Sequence, residues 1–170
     1  RFLKTKKIKS PKLIGLLING NIINNSSVIV RKHLLDKVGG ISENQRFITA
    51  EDYHTWLKIS LLTERFLYLP ICLGYYYIHE ENYLRNDFSI PTKIVTSEFR
   101  KFLKKSQLTQ LDARINYING RFNFKTNNLD KAKTQLLMSF KNLSLSLKVK
   151  TLLMLIYIYL INFSILNKFV

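Results

Sequence analysis

The sequence is most informative at residues 50–58, which read AEDYHTWLK. Their pattern predicts an α-helix that begins after Thr49, whose hydroxyl can cap the first turn. Glu51 and Asp52 lie in that turn, where carboxylates interact favourably with the positive end of the helix dipole. The face that we expect to be buried carries Trp56, Leu57, Ile59 and Ser60. A pair of acidic side chains therefore opens a helix directly after a loop, where a carboxylate can face a cleft.

The residues on either side of this helix have the mixed texture of an α/β region. Residues 26–30 are rich in β-branched side chains, and residues 66–69 and 73–78 have the composition of two further strands. Residues 31–38 carry leucines at helical spacing and are followed by glycine, a common helix stop. We therefore predict an α/β fold for the first part of the chain.

Beyond Pro91 the pattern becomes helical. Apolar residues recur at steps of three and four between residues 94 and 103, and residues 108–120 and 129–140 predict a helical hairpin. The small side chain of Ala132 is expected to let the two helices approach closely. The chain is thus predicted to divide into residues 1–90 and residues 91–170, of which the second part is a helical extension.

The last predicted helix, residues 152–166, is apolar on every side. The uncharged window from Thr151 to Asn167 lies at the lower edge of the ~17 to 25 residues that a spanning helix needs. The lysines that flank this window are Lys148, Lys150 and Lys168. Such flanks are typical of helices that lie in the headgroup region of an anionic membrane. Three placements stay open: a basic, apolar helix on a membrane surface, a helix buried against the preceding hairpin, and a spanning helix, which the short window favours least.

The composition limits the classes of protein to consider. The chain has 170 residues, 46% of them hydrophobic, which is enough for a core and excludes a disordered tail. Lysine and arginine total 27 against 11 acidic residues, a net charge of +16 that favours binding to polyanions or to an anionic lipid surface. The single cysteine, Cys72, cannot form an internal disulfide, and no Cys/His set has the spacing of structural zinc. These features favour a reducing compartment.

Several short motifs follow one another between residues 19 and 82. They are Asn19-Gly-Asn21, NSSVIVRK at residues 25–32, Val38-Gly-Gly40, AEDY at residues 50–53, Trp56-Leu57, and YYYIHEEN at residues 75–82. In this order and spacing they resemble the C-terminal half of the catalytic domain of glycosyltransferase family 2, the inverting nucleotide-sugar enzymes with the GT-A fold. The resemblance implies a partial GT-A (Rossmann-like) α/β domain in residues 1–90, followed by an α-helical C-terminal region.

The resemblance also implies roles for individual residues. Asp52 is expected to be the catalytic base that deprotonates the acceptor hydroxyl, and Glu51 to orient that base or the acceptor. Gly39 and Gly40 match the paired glycines ahead of this motif, where the backbone turns tightly. Trp56 opens the family's Trp-Leu-Arg helix, here with lysine in place of arginine. These two glycines and the tryptophan are the residues assigned to substrate binding.

A divalent cation, Mg²⁺ or Mn²⁺, is the cofactor that the same resemblance implies. His79 matches a histidine that approaches the metal and the diphosphate in many members of the family. The family's Asp-x-Asp motif, which lies in an N-terminal nucleotide-binding half, does not occur in this sequence. We therefore expect the chain to be a fragment of a longer enzyme, with the cation held mostly by residues outside it.

The function implied is transfer of a sugar, with inversion, from a nucleotide-sugar donor to a glycan or lipid-linked acceptor. The expected location is the cytoplasmic side of the plasma membrane, with the last helix on its anionic surface. Two other classes stay open. The high positive charge and interleaved tyrosines and phenylalanines suit a nucleic-acid-binding module, although nucleic acid is not the expected partner because no reading motif occurs. The other is a non-catalytic membrane-docking or scaffold module, in which Glu51 and Asp52 only stabilise a helix.

Overall fold

The computed structural model describes residues 7–72, Gly74 and residues 87–166. The regular elements in these residues are the helices α1 (Lys12–Asn19), α2 (Lys32–Lys37), α3 (Glu51–Leu62), α4 (Ser89–Ser97), α5 (Lys105–Lys125), α6 (Leu129–Phe140) and α7 (Leu145–Leu166). Short 3₁₀ turns lie at Asn25–Ser27, Gln45–Phe47 and Arg100–Phe102. The chain forms two compact units. The first contains the described residues up to Gly74 together with Ile90–Leu108, and the second contains residues 87–89 and 109–166.

The predicted α/β fold, a partial GT-A domain, is wrong for the described residues, in which no strand occurs. Residues 26–30 begin in a 3₁₀ turn, where the Asn24 side chain accepts a hydrogen bond from the Ser26 backbone N–H at 3.2 Å. Val28 then has extended dihedral angles, but no neighbouring segment pairs with it. Residues 66–69 are likewise without a ladder partner, and most of the third predicted strand, residues 73–78, lies outside the described residues.

The strand prediction failed because β-branched composition favours extended dihedral angles without supplying a partner strand. A strand also needs a neighbour that pairs its backbone N–H and C=O groups, and normally a face that is buried. Ile29 is 100% exposed and Leu67 is 87% exposed, and no apolar side chain of either segment is fully buried. Local propensity was present in both segments, and the tertiary pairing that makes a sheet was not.

The first unit is built around α3, which packs against α1. The buried residues of the two helices include Leu13, Leu16, Leu17, Tyr53, Trp56 and Leu57. The Tyr53 hydroxyl donates a buried hydrogen bond to the Leu16 carbonyl at 3.0 Å. The Glu64 carboxylate, just beyond α3, accepts hydrogen bonds from the Lys12 backbone N–H at 2.9 and 3.1 Å, which satisfies a free donor at the start of α1. The predicted inner face of α3 is therefore confirmed, since Ile59 and Ser60 are buried too.

The predicted cap of α3 is wrong. The helix begins at Glu51 with Ala50 in the N-cap position, and no side chain caps it. Thr49 has a φ of 71°, a left-handed conformation that is rare for a β-branched residue. The reason is the 3₁₀ turn Gln45–Phe47, which runs almost directly into the helix: the Ala50 N–H donates to the Phe47 carbonyl at 2.8 Å. The chain thus enters α3 through a tight backbone turn that leaves the Thr49 hydroxyl no capping role.

The second unit contains the predicted helical hairpin, which is confirmed as α5 and α6. Its buried cluster consists of Ala113, Tyr117, Ala132, Leu136, Leu143 and Ile158. A Cβ atom placed on Gly120 of α5 would lie 2.9 Å from Leu136 Cγ and 3.1 Å from the Leu136 backbone nitrogen. The close approach of the two helices therefore depends on Gly120 as well as on Ala132, which is fully buried. The last helix, α7, packs against α6.

Trp56→Ala should lower the free energy of unfolding by about 3 to 5 kcal/mol, because it removes a large side chain that is only 3% exposed. Trp56→Phe is the matched control. The indole Nε1 is buried and has no hydrogen-bond partner among the described residues, so phenylalanine removes a poorly satisfied donor and should cost much less. Urea unfolding followed by circular dichroism measures both. An alanine variant within 1 kcal/mol of wild type would contradict the packing of α3.

Gly120→Ala should lower the free energy of unfolding by about 1 to 2 kcal/mol, because crowding against Leu136 outweighs the gain in helix propensity. The control is the same change in a Leu136→Ala background, where the crowding atoms Cγ and Cδ2 are gone. There Gly120→Ala should cost less than in the wild-type chain, because only the close contact with the backbone nitrogen of residue 136 remains. If Gly120→Ala stabilises the wild-type chain, α5 and α6 do not approach as closely as described.

Candidate functional site

A tight turn after α2 begins the site region. Gly39 and Gly40 have φ values of 77° and 75°, and the Gly40 N–H donates to the Leu35 carbonyl at 2.9 Å. A Cβ atom on either glycine would meet no atom within 4 Å, so the backbone conformation, rather than space, favours glycine here. On α3, the Lys58 ammonium donates a hydrogen bond to the Val38 carbonyl. The paired glycines thus turn the chain into the loop of residues 41–49. The start of that turn is bonded to α3, the helix that also carries Glu51 and Asp52.

The loop that follows forms a pocket at the start of α3. Its open cavity has a volume of about 400 Å³ and is lined by Ser42, Glu43, Asn44, Ile48, Thr49 and Glu51. The Asn44 side chain accepts a hydrogen bond from the Arg46 backbone N–H at 2.9 Å, and the buried Phe47 ring anchors the 3₁₀ turn. Sequence analysis gave this loop no role. The signal that could have found it is the asparagine, a residue typical of such local backbone turns.

Asp52 lies in the first turn of α3 with its carboxylate held from two sides. Asn21 Nδ2 donates to Oδ1 and Oδ2 of Asp52, each at 3.2 Å. Oδ1 also accepts a hydrogen bond from the Tyr53 backbone N–H at 2.6 Å. Asn21 follows α1 closely, and its own Oδ1 accepts from the Ile23 N–H at 3.2 Å, which fixes the amide. The carboxylate is therefore oriented by a side chain 31 residues earlier in the sequence.

The surroundings of Asp52 raise the pKa of its carboxyl group above the ordinary value of 3.8. Partial burial is the largest cause, because removing water disfavours the charged form. The hydrogen bonds from Asn21 and Tyr53 act in the opposite direction, and the neighbouring charge of Glu51 raises the pKa further. A carboxylate with a raised pKa is a stronger base than an ordinary aspartate, which is the property a general base requires.

Glu51 has a different environment from Asp52. It lines the loop pocket, and its Oε2 atom is buried without a hydrogen-bond partner among the described residues. Buried polar atoms are normally hydrogen-bonded, so an unsatisfied acceptor beside a pocket is suited to receive a donor from a bound molecule. The backbone of Glu51 has an additional partner, because Thr55 Oγ1 donates a hydrogen bond to the Glu51 carbonyl at 2.9 Å.

The other predicted site residues either lie away from the loop pocket or fall outside the described residues. Trp56 is in the core of the first unit and is not among the residues that line the pocket. His79, the predicted metal residue, lies outside the described residues. Within the described ranges no three His, Cys, Asp or Glu side chains converge on a common point, so this part of the chain does not fit a divalent cation by itself. The structure places Glu51 in the lining of the loop pocket and joins Asp52, which is not part of that lining, to Asn21.

Comparison of the chain with protein-family models, curated proteins and solved structures returns no match. The resemblance to glycosyltransferase family 2 thus depends on the ordered motifs of residues 19–82 and stays a prediction.

Asp52→Asn should change how stability depends on pH. At low pH the wild-type carboxyl is protonated in both the folded and the unfolded chain. As pH rises, the unfolded chain ionises first because its pKa is the lower one, so wild type loses stability until the folded carboxyl ionises as well. Asparagine keeps one acceptor oxygen for the Asn21 and Tyr53 donors and does not ionise, so it avoids this loss.

The melting temperature of Asp52→Asn minus that of wild type should therefore increase as pH rises above the ordinary pKa of 3.8, and it should level off once the folded carboxyl has ionised as well. Thermal unfolding followed by circular dichroism at a series of pH values measures the difference. Asp36→Asn, which removes a carboxylate from the exposed side of α2, is the control. A difference that stays constant or falls with pH would show that the Asp52 carboxyl does not have a raised pKa.

Proposed function

We propose that this chain supplies the acceptor side of an inverting, nucleotide-sugar-dependent glycosyltransferase, with Asp52 as the catalytic base. The observation that carries the proposal is the Asp52 carboxylate. It is fixed in the first turn of a buried helix, oriented by Asn21, and has a raised pKa. The ordered motifs between residues 19 and 82 support the same reaction class, since Asp52 is the second acid of the Glu-Asp pair.

The reaction is a single displacement at the anomeric carbon of the donor sugar. Asp52 takes the proton of the acceptor hydroxyl as the hydroxyl oxygen forms a bond to the anomeric carbon. The bond from that carbon to the diphosphate breaks, and its electron pair leaves with the nucleoside diphosphate. Attack from the face opposite the leaving group inverts the configuration. The hydroxyl has to come within about 2.6 to 3.2 Å of the carboxylate, and the hydrogen bonds to Asp52 keep that carboxylate in one orientation.

The loop pocket is the place that we assign to the acceptor. Its polar residues Ser42, Glu43 and Asn44 suit the hydroxyl groups on the edge of a sugar ring, and Ile48 offers an apolar contact to its face. Glu51 adds an unsatisfied acceptor atom, Oε2, for one of those hydroxyls. A glycan, free or linked to a lipid, fits this combination of polar edges and an apolar side.

The donor and the cation are assigned to residues beyond those described. The nucleotide-sugar is expected to bind through the Asp-x-Asp half of such an enzyme, and that motif does not occur in this sequence. Binding of Mg²⁺ or Mn²⁺ also stays a proposal that depends on the family resemblance. His79 is the residue of this chain that the resemblance assigns to the cation. The proton transfer to Asp52 needs neither of these groups to be held by the described residues.

Asp52→Asn should lower the turnover of sugar transfer by a factor of at least about 10², because it removes the base and keeps the shape. The assay uses the natural full-length protein with a panel of nucleotide-sugars and with envelope glycan and lipid-linked acceptors, and it measures release of nucleoside diphosphate. Donor affinity, measured separately by calorimetry, should change little.

Asp36→Asn is the matched control, because it makes the same chemical change on the exposed side of α2, where Asp36 pairs with Lys32 at 2.9 Å. It should leave turnover unchanged. Turnover of Asp52→Asn within tenfold of wild type would overturn the role of Asp52 as base. A wild-type protein that transfers no sugar from any donor would favour the non-catalytic scaffold module instead.

A further inference from the structure

The outward side of α7 is an apolar surface that the second unit leaves uncovered. Thr151 and Ile158 are buried, so one side of the helix faces the rest of the unit. Six apolar residues, between 45% and 79% exposed, lie on the opposite side: Leu145, Val149, Leu152, Leu153, Ile156 and Leu160. With 3.6 residues per turn, their spacing places them in one continuous row along the helix. We call this row the α7 stripe.

The two edges of the α7 stripe carry the same kinds of residue. At 100° per residue, Lys148 and Tyr159 fall on one edge, and Lys150 and Tyr157 fall on the other. The Tyr157 ring lies 5.4 Å from the Phe124 ring in an edge-on arrangement, which supports the position of one edge. An apolar centre between lysine ammonium groups and phenol rings is typical of a helix at the level of lipid headgroups.

The charge of the surrounding chain has the sign that an anionic surface attracts. No acidic residue follows Asp130 in the sequence. The basic residues after it are Lys131, Lys133, Lys141, Lys148, Lys150 and Lys168. A second copy of the chain is a poorer occupant of the stripe, because it would bring a further net charge of +16 to a surface that is already basic.

The length of the stripe suits a position along a surface. It runs from residue 145 to residue 160, or about 22 Å at 1.5 Å per residue. Among the described residues, none of the helices combines the length and the apolar content that a membrane crossing requires. A row of this kind buries its apolar side chains when the helix lies in the plane of the interface.

We propose that α7 docks on an anionic lipid bilayer with the α7 stripe inserted between the headgroups and the hydrocarbon, and with Lys148 and Lys150 on the phosphates at either edge. This is a function of the second unit and is independent of the sugar transfer proposed for the first. It predicts binding that needs both an apolar stripe and a negatively charged surface.

The test is co-sedimentation of the 170-residue chain with vesicles. Vesicles with about 30% phosphatidylglycerol in phosphatidylcholine should bind the chain at low salt and release most of it at 0.5 M salt, where the Debye length is only a few ångströms. Vesicles of pure phosphatidylcholine should bind at least tenfold more weakly. Equal binding to both kinds of vesicle would overturn the role of charge.

Leu153→Ser with Ile156→Ser should weaken binding to the anionic vesicles at least tenfold, with an unchanged helical circular dichroism spectrum. Ile29→Ser with Leu67→Ser is the matched control, since these side chains are even more exposed but lie in the first unit. The control should bind like wild type. If both pairs weaken binding equally, the stripe is not the docking surface.

A second pair of variants keeps the test decisive if the serine changes unfold the chain. Lys148→Glu with Lys150→Glu should abolish the salt-sensitive binding, whereas Lys104→Glu with Lys105→Glu, which makes the same change in charge on exposed lysines, should reduce it far less. Three results would overturn the proposal. The first is vesicle binding that resists alkaline carbonate, which indicates a spanning helix. The second is self-association through the stripe without vesicle binding. The third is tight binding to an oligonucleotide, if the Lys148 and Lys150 changes abolish that binding.

Discussion

The hydrogen bond from the Tyr53 hydroxyl to the Leu16 carbonyl fixes the part of the first unit on which the site depends. It is buried between α1 and α3 and joins the Tyr53 side chain to a carbonyl that also accepts the Gly20 N–H, so it holds the two helices in one register. Asp52 precedes Tyr53 on α3. Asn21 comes two residues after the end of α1, directly after Gly20. The contact between Asn21 and Asp52 is therefore a consequence of helix packing. The packing of α1 against α3 thus sets the orientation of the Asp52 carboxylate, while the acceptor pocket that we propose is formed by the loop of residues 41–49.

The two adjacent acids show how environment can divide roles between identical groups. Asp52 is hydrogen-bonded to Asn21 and to its own helix, and partial burial raises its pKa. Glu51 instead has a buried oxygen without a partner among the described residues, next to a pocket. Two carboxyl groups in different surroundings can act as a proton acceptor and as a binding group, respectively. This difference favours the interpretation in which Asp52 is the base and Glu51 binds the acceptor. If both acids only stabilised the helix dipole, neither burial nor a pocket would be needed.

The sequence was reliable where local periodicity carries the information. The buried face of α3 and the hairpin of α5 and α6 were predicted correctly because apolar spacing of 3.6 is an internal property of a helix. The strands were not, because Val28 can be extended on its own while a sheet depends on distant residues. For the same reason the acid at position 52 could be named from its motif, but its partner Asn21, 31 residues away, could not. The left-handed conformation of Thr49 could not be predicted either, since a β-branched residue does not indicate a positive φ.

The apolar sequence of the last helix left open burial in protein and contact with lipid, and these two placements do not exclude each other. A single neighbouring surface can cover only part of a helix, and here it covers the side of Thr151 and Ile158. The opposite side is equally apolar in sequence, yet its residues stay exposed, with Leu153 at 62%. A globular protein has no need of a continuous exposed apolar row, and such rows are normally found where something else covers them. Lysines on both edges favour an occupant of negative charge, and with such an occupant the two placements predicted from the sequence would be two sides of one helix.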